Sequence, residues 1–238
     1  MKHRFDKFLT VLLIIIVVIV IALLGYLAYD FLSKYFGKKD AETAVDDFEQ
    51  QVVQAEETNT QTEENIQQEP PTTENTTQNT SSTSNKKTYT YKGYNMVGTI
   101  QIPKTKIKCP VVDTVTPSSI VAAVAVLYGP GLNQVGNTVI VGHNYRDGSF
   151  FSNNKKLVAG DKIYITDTTG NRVEYTIYNT YITSDQDFNY AIRDTGGKRE
   201  ISLSTCTENV SQRLVIWARA EWKNKKFIGK SFDFCQKL

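Results

Sequence analysis

The stretch Ile201-Ser202-Leu203-Ser204-Thr205-Cys206 alternates apolar and polar side chains as far as Ser204 and ends in a cysteine. Strict alternation is typical of a β-strand with one buried face. Runs of a similar β-rich kind occur on both sides of it, at residues 97–102, 107–112, 137–141, 161–166, 172–178 and 213–220. Many short strands at close spacing predict an all-β barrel or sandwich, with short helices expected at 117–127 and 149–157.

The cysteine that ends this strand has one candidate histidine partner in the same part of the chain. Of the two histidines, His3 lies in the basic N-terminal tip and His143 follows the strand at 137–141. Arg213 opens the strand after Cys206, and strand ends on one rim of a barrel can converge. A thiol attacks a carbonyl as thiolate, which a neighbouring imidazolium or guanidinium favours.

His143, Cys206 and Arg213 therefore predict covalent acyl transfer. His143 suits the acid that protonates a leaving amine, and Arg213 suits a forked donor to an oxyanion. Residue types alone leave other interpretations open, because a cysteine at a strand end is often a small packing residue and an arginine there is often a solvated charge. The order of histidine before cysteine excludes papain-like enzymes, in which the cysteine comes first.

The remaining composition narrows the chemistry. The chain has three cysteines and a formal net charge of +2. Cys109, in an apolar strand, and Cys235, near the C-terminus, are interpreted as packing residues, and their pairing with each other stays open. The sequence has no CxxC or other metal-ligand spacing, so no metal or cofactor is expected, although calcium dependence is left undecided. The near-neutral charge gives no case for a nucleic-acid partner.

The N-terminal segment is of a different kind. Residues 9–25 carry no charge, and at about 1.5 Å per residue roughly 20 such residues cross a bilayer core. We interpret residues 1–39 as a basic tip and one transmembrane helix, with residues 9–29 in the membrane. A buried globular helix and a cleaved signal peptide are the alternatives. Basic residues on the two sides of the span are equal in number, so they do not decide its orientation.

Residues 40–87 turn acidic and then become rich in Thr, Asn, Gln, Glu and Ser. A segment with so few apolar residues cannot offset its chain entropy, so a disordered linker is expected. Its first part can continue a helix, because Val45, Phe48 and Val52 recur at helical spacing. Residues 88–238 are the expected folded domain, which is long enough for one hydrophobic core.

Four segments of this domain follow one another along the chain, and the candidate residues in them fall at the ends of predicted strands. They are Val97-Gly98-Thr99-Ile100-Gln101-Ile102-Pro103, Gly136-Asn137-Thr138-Val139-Ile140-Val141-Gly142-His143-Asn144, Leu203-Ser204-Thr205-Cys206-Thr207 and Arg213-Leu214-Val215-Ile216. The third is a TLxTC-type nucleophile motif, with Ser202 where threonine is most usual. In these segments the chain resembles the sortases, the membrane-anchored cysteine transpeptidases of Gram-positive bacteria, over residues 94–220.

The resemblance implies a closed sortase-type β-barrel with short helices, preceded by one transmembrane helix and a disordered linker. It implies that Cys206 attacks the Thr–Gly carbonyl of an LPxTG-like sorting signal on surface proteins. His143 would protonate the departing amine and deprotonate the incoming one, Arg213 would hold the substrate backbone and the oxyanion, and Thr205 would help to shape the substrate pocket. The acceptor would be an amine of a peptidoglycan cross-bridge or of another protein.

The resemblance also implies a location and bears on the subclass. Sorting signals lie outside the cell, so we expect a single-pass protein of the cell membrane with a cytoplasmic N-terminus and an extracytoplasmic catalytic domain. Residues 144–151 resemble the class B form of the histidine loop, but the interval 181–200 is short for the class B helix. The lid motif and second span of pilus-building sortases are not found, which favours protein anchoring.

Two alternative functions remain at this point. One is a non-catalytic sortase-like module that binds a peptide without turnover, and the other is a peptide hydrolase that releases its product to water. Substrate specificity is expected to depend on the loop at 184–199, whose aromatic residues Phe188 and Tyr190 either line a peptide groove or pack against the domain.

Overall fold

The structure is a computed structural model, and it describes residues 2–63 and 88–221. The helices and strands are α1 (Lys2–Glu63), β1 (Tyr89–Tyr91), β2 (Tyr94–Ile102), β3 (Ile107–Val112), α2 (Pro117–Ala122), β4 (Val124–Tyr128), β5 (Gly136–Val141), β6 (Lys162–Asp167), β7 (Arg172–Ser184), β8 (Arg199–Cys206) and β9 (Gln212–Ala220). Single 3-10 turns lie at Pro103–Thr105 and Asn154–Lys156.

Strands β2 to β9 close into an eight-stranded barrel. Around the ring the neighbours are β2, β3, β4, β5, β8, β9, β7 and β6, and β6 pairs back with β2 from Gly98↔Asp167 to Gln101↔Tyr164. Strand β1 lies outside the ring and pairs with the start of β2. Closure leaves the ring without a free sheet edge. The prediction of a closed, mostly-β barrel is confirmed.

Alternate side chains of the strands fill the barrel interior. Ile100 of β2, Ile140 of β5, Ile165 of β6 and Leu203 of β8 are completely buried, and Ile216 of β9 is 1% exposed. They belong to one continuous cluster of buried apolar residues. The alternation seen in the sequence therefore has its physical origin here, because successive residues of a strand face opposite sides of the sheet.

Strand β4 differs from the sequence prediction. The run 117–127 is expected to be helical, but α2 ends at Ala122 and the chain then enters β4. Strand β4 pairs in parallel with β3 at Val111↔Val124 and antiparallel with β5 at Val126↔Ile140, so it joins two strands that would otherwise not meet. These pairings outweigh the helix propensity of an Ala/Val/Leu-rich run. Of the helix expected at 149–157, the structure contains only the 3-10 turn Asn154–Lys156.

Helix α1 extends well beyond the predicted membrane span. In the part of the chain that the structure describes it is the one helix long and apolar enough to cross a membrane, by length and composition. Its apolar side chains between Val11 and Leu27 are exposed all around, as expected for a surface that faces lipid. The helix then continues without a break to Glu63.

The continuation of α1 packs against the barrel between Ala41 and Val52. Phe48 is 2% exposed and its ring centroid lies 4.7 Å from that of Tyr89. The carboxylate of Glu49 accepts hydrogen bonds from Gln101 Nε2 at 2.9 Å and Thr99 Oγ1 at 3.1 Å, both on β2.

The expected disordered linker at residues 40–87 is therefore corrected in its first part. Residues 40–63 are helical, because the apolar side chains Val45, Phe48 and Val52 lie on one helix face that is buried in the fold. Phe48 and Val52 lie in one buried cluster with side chains of β1, β2 and β3. The rest of that predicted linker, residues 64–87, lies outside the described residues.

We expect Phe48→Ala to lower the free energy of unfolding by about 3 kcal/mol, because it removes a buried aromatic ring and leaves a cavity between α1 and the barrel. Val53→Ala is the matched control on the same helix, since Val53 is 52% exposed and should change stability by less than about 0.5 kcal/mol. The measurement is chemical unfolding of the full chain in detergent. Equal effects of the two substitutions would contradict the docking of α1.

Candidate active site

Three strands of the barrel end together at one rim. Strands β5 and β8 are parallel, with Val141 opposite Ser204, so their C-terminal ends meet. Strand β9 is antiparallel to β8, and Cys206 lies directly opposite Arg213. His143 comes two residues after Val141, as Cys206 comes two residues after Ser204. The fold thus brings the thiol, the imidazole and the guanidinium predicted from the sequence to the same end of the barrel.

The segment around His143 stays tied to β8 beyond the end of β5. The amide of Gly142 donates to the Ser204 carbonyl at 3.3 Å, and Thr205 Oγ1 donates to the Gly142 carbonyl at 2.7 Å. One residue after His143, Asn144 Nδ2 donates to the Cys206 carbonyl at 2.9 Å. Because hydrogen bonds to β8 precede and follow it, His143 is held beside the end of the strand that carries Cys206.

Gly142 leaves no room for a side chain at the turn before His143. A Cβ atom there would lie 2.8 Å from Val124 Cγ1 and 2.9 Å from Phe151 Cδ2. Phe151 is completely buried, and its amide donates to the His143 carbonyl at 3.0 Å. The chain can therefore pass close to the barrel core just before His143, and the packing of Phe151 fixes the position of the His143 backbone.

The imidazole of His143 sits in a partly apolar environment. Its ring centroid lies 4.8 Å from that of Tyr145, which in turn lies 5.9 Å from that of Phe150. Removal of water around the ring lowers the pKa of His143 below its ordinary value of 6.5, because desolvation disfavours the charged form. The neutral imidazole is thus the dominant form at neutral pH.

We expect NMR titration of His143 to give a midpoint below 6.5. The full chain in detergent with His3→Gln carries one histidine, so its imidazole signal is unambiguous. The unfolded chain binds this proton more tightly, so the His143 contribution reduces stability as the pH falls through 6.5 towards the folded-state pKa. A midpoint at or above 6.5 would contradict desolvation as the dominant effect, and the same titration in Cys206→Ala reports the influence of the thiol.

Cys206 and Cys109 are free cysteines in different surroundings. Cys206 is partly exposed at the end of β8, whereas Cys109 is 5% exposed in the barrel core. Burial raises the pKa of the Cys109 thiol to about 12, which keeps it protonated and unreactive. The third cysteine, Cys235, lies outside the described residues, so its predicted packing role and its pairing with Cys109 stay untested.

Arg213 lies at the start of β9 with its guanidinium held by its own loop. Arg213 Nη1 donates to the carbonyls of Val210 at 2.9 Å and Gln212 at 3.3 Å. The residue is partly exposed, so its remaining donors can reach a ligand at the rim. A guanidinium offers five N–H donors in a fixed plane, which suits a peptide carbonyl or an oxyanion next to the thiol.

Thr205, which is expected to help shape the substrate pocket, makes its described side-chain contact within the barrel. It is 4% exposed and lies opposite Leu214, one residue out of phase with Cys206. Its hydroxyl donates to the Gly142 carbonyl, which links the cysteine strand to the histidine strand. Its predicted role in shaping the pocket stays a prediction, and the contact observed here is with the protein.

Sequence reasoning did not assign a role to two residues that organise this rim. Asn144 bonds the Cys206 carbonyl through Nδ2, and its Oδ1 accepts the amide of Arg146 at 3.2 Å. Glu208 accepts from Lys155 Nζ at 2.6 Å, and its carbonyl accepts from Arg146 Nη2 at 2.9 Å. The signal for Asn144 was its place directly after the histidine. For Glu208 no local signal exists, because its partners are more than fifty residues away in the chain.

No cluster of three or more His, Cys, Asp or Glu side chains suited to a metal ion occurs within residues 2–63 and 88–221, the parts that the structure describes. Between β7 and β8 the protein forms turns and no helix, in line with the short interval noted in the sequence.

A family model described as the sortase domain matches residues 100–221, which is just over half of the chain. The matched range includes every strand end that forms the rim described above. The chain belongs to the sortase family. Sortases are, in general, extracytoplasmic cysteine transpeptidases that act on proteins with sorting signals and use amine acceptors. The resemblance proposed from the sequence is confirmed at this level.

Solved sortase structures share the fold. Sortase A from Corynebacterium diphtheriae superposes with a TM-score of 0.50 and 24% identity, over 56% of this chain and 64% of that one. Its lid mutant gives a TM-score of 0.49 and 25% identity, over 53% and 70% of the two chains. The pilus-related Sortase C of Group B Streptococcus gives a TM-score of 0.49 and 26% identity, over 53% and 67%. The comparison with curated proteins gives no match.

Proposed function

We propose that this sortase is a membrane-anchored, extracytoplasmic cysteine transpeptidase. It cleaves an LPxTG-like sorting signal of a surface protein between Thr and Gly, and it joins the new carboxyl end to a cell-wall amine. The observation that supports this most strongly is the pairing of Cys206 with Arg213 across β8 and β9, with His143 tied to the same strand end through Gly142 and Asn144.

The proposed reaction has two stages. In the first, the thiolate sulfur of Cys206 attacks the threonine carbonyl carbon, and Arg213 donates hydrogen bonds to the oxyanion. The C–N bond then breaks, the glycine amine leaves with a proton from the His143 imidazolium, and a thioester remains on Cys206. In the second stage an acceptor amine attacks the thioester, its proton passes to the now neutral His143, and the thiolate is released.

The protonation state of His143 in this proposal follows from the environment of its ring. Because desolvation lowers the pKa of His143, the imidazolium that the first stage requires is a minority form at neutral pH. Catalysis then proceeds from that fraction, so the rate is limited by its population as well as by the chemistry. A neutral resting imidazole is therefore compatible with the role assigned to His143.

The proposed location rests on α1. The helix supplies a span of sufficient length and apolar composition near the N-terminus. We propose that this span is a single-pass anchor in the cell membrane with the N-terminus cytoplasmic, because a sorting signal and a cell-wall amine both meet the enzyme outside. We further propose protein anchoring to peptidoglycan, in which the cross-bridge supplies the amine.

A peptide assay tests the proposal against its alternatives. The purified full chain in detergent is incubated with a fluorogenic LPxTG-like peptide library, with and without a glycine-based amine acceptor, and the products are identified by mass. Incorporation of the acceptor supports a transpeptidase. Release of the free acid alone, even with saturating acceptor, contradicts transfer and favours a hydrolase. Peptide binding without any cleavage contradicts the enzyme and favours a binding module.

A further inference from the structure

Residues 185–198, between β7 and β8, form a loop that covers the outer face of β8 next to the active site. Ser202 and Ser204 alternate with the core residue Leu203 and so face away from the barrel interior. They are nevertheless only 0% and 3% exposed, because Tyr190 of the loop lies over this face and is itself 3% exposed. The Ser204 and Tyr190 hydroxyls are 3.3 Å apart. Cys206 is the next residue on that face.

The loop also begins beside the active-site arginine. Thr183, near the end of β7, lies opposite Arg213, and its hydroxyl donates to Asp187 in the loop at 2.5 Å. Further along, the loop presents Phe188 and Ile192 to solvent, with 55% and 69% exposure. The loop therefore lines the outer face of β8 with apolar and polar groups, beginning beside Arg213.

A buried carboxylate at the start of β8 holds this loop. Glu200 is 1% exposed and accepts hydrogen bonds from Tyr178 at 2.7 Å, from Arg219 Nε at 2.5 Å and from Arg193 Nη1. Burial alone would raise the pKa of Glu200, but these donors outweigh it and hold the pKa below its ordinary value. A buried carboxylate is tolerated only when it is bonded in this way. Of the three donors, Arg193 is the one that belongs to the loop.

Arg193 and Asn137 extend the hold to the loop backbone. The Arg193 guanidinium lies 4.5 Å from the centre of the Trp217 ring, and its Nη2 donates to Asn137 Oδ1 at 3.1 Å. Asn137 Nδ2 donates to the carbonyls of Tyr190 at 2.9 Å and Ala191 at 3.0 Å. Asn137 is on β5, so the loop is fixed to the same strand that leads to His143.

We propose that Asn137, Arg193 and Glu200 form a loop lock that fixes residues 185–198 in the position required for peptide recognition, and so determines which sorting sequences the site accepts. The three are positioning residues, since they act through the loop and lie away from the reacting atoms. The proposal rests on the proposed function for its peptide substrate, but the order of the loop is a property of the protein alone.

The expected effect follows from pre-organisation. A ligand that binds one arrangement of a loop loses apparent affinity in proportion to the time that the loop spends elsewhere. If release of the lock leaves the loop in its binding arrangement about a tenth of the time, peptide affinity falls about tenfold. Discrimination between peptides falls as well, because the exposed groups that contact the peptide no longer hold a fixed position.

Two matched variants separate the lock from simple loss of a charge pair. Arg193→Gln and Arg219→Gln each remove one guanidinium from Glu200, but Arg219 is on β9 and makes no bond to the loop among its described contacts. Both are made in the full chain on a Cys206→Ala background, so that peptide binding is measured without turnover. The readouts are hydrogen exchange of the amides of residues 186–193 and the dissociation constants of the best library peptide and its single-residue variants.

We expect Arg193→Gln to speed exchange in the loop, to weaken binding of the best peptide about tenfold and to narrow the affinity range among the variants, while Arg219→Gln leaves all three near the parent values. Arg193→Lys, which keeps the charge without the fork, should resemble Arg193→Gln. Loop exchange that is unchanged in Arg193→Gln, or equal binding effects of Arg193→Gln and Arg219→Gln, would overturn the lock. Failure of the wild type to cleave any peptide overturns the proposed function, and the exchange measurement still decides the lock.

Discussion

We expect cleavage of an LPxTG-like peptide to fall by at least about 10³-fold when Cys206 is replaced by alanine, because the proposed covalent intermediate forms on its sulfur. Loss of an acyl-transfer nucleophile typically costs about this much or more, with a small residual rate from the binding groups that remain. The fold should be unaffected, since Cys206 is partly exposed at the end of a strand. The measurement is the initial rate of cleavage, with thermal unfolding to show that the variant is folded.

The control for this substitution is Cys109→Ala, which changes a cysteine that is buried in the core with a pKa of about 12. It should keep most of the wild-type rate, at a modest cost in stability from the small cavity that it creates. Retained cleavage in Cys206→Ala, or loss of cleavage in a folded Cys109→Ala protein, would show that the reactive thiol has been assigned wrongly. A mass increase on wild-type protein trapped with a slow substrate provides a direct view of the thioester.

Arg213→Lys should lower kcat/KM by about 10²-fold, close to the effect of removing a donor from an oxyanion site. Lysine keeps the positive charge but not the planar fork. It therefore cannot bond the Val210 and Gln212 carbonyls and still present ordered donors beside Cys206. Because the oxyanion exists only during the reaction, most of the loss should appear in kcat, with a smaller change in KM.

Arg172→Lys is the matched control, since it makes the same substitution at the end of β7 farthest from Arg213. Arg172 pairs with Glu49 of α1 and with Gln101, so its replacement affects an exposed contact and should leave kcat/KM within about twofold of the wild type. If the two substitutions reduce activity equally, Arg213 has no special part in the reaction. If Arg213→Lys changes KM alone, its role is substrate binding.

Seven of the eight barrel strands could be predicted from the sequence. Each shows either an alternation of apolar and polar residues, which reflects the two faces of a strand, or a run of β-branched residues. Strand β4 could not, because Val124–Tyr128 follows a capped helix directly and its residues favour a helix as much as a strand. This segment becomes a strand because it pairs with both β3 and β5 and fills the gap between them. The gap is set by residues far away in the chain. Strand β1, with three residues, is too short to carry a pattern.

A short motif at strand ends predicts the candidate catalytic residues from the sequence, but no motif predicts the side chains that surround them. Cys206, His143 and Arg213 stand next to recognisable strands, so a register argument brings them to one rim. Asn137, which the sequence offers as one polar residue at the start of β5, bonds to loop residues more than fifty positions later. Contacts between residues so far apart in the chain produce no periodic pattern in the sequence. They form because the closed barrel brings the two segments together.

The sequence indicates the docking of α1 only through apolar residues at helical spacing, and it does not show the surface on which they pack. Val45, Phe48 and Val52 indicated an amphipathic face, but the polar composition that follows suggested a chain without structure. The surface that receives this face is built from β1, β2 and β3, which lie beyond the polar segment. An amphipathic helix is stabilised by what it packs on, so a local reading of residues 40–63 misses the helix that they form.

The attachment of the barrel to α1 sets the distance between the barrel and the proposed membrane anchor. Phe48 lies about twenty residues beyond Leu27 on one continuous helix, which corresponds to a standoff of roughly 30 Å from the proposed anchor. The attachment precedes residues 64–87 in the chain, so a change in the length of that segment should leave this standoff unchanged. If the protein acts as proposed, a rigid helix of this length keeps its active site in a thin layer close to the lipid surface and away from acceptors held deeper in the wall.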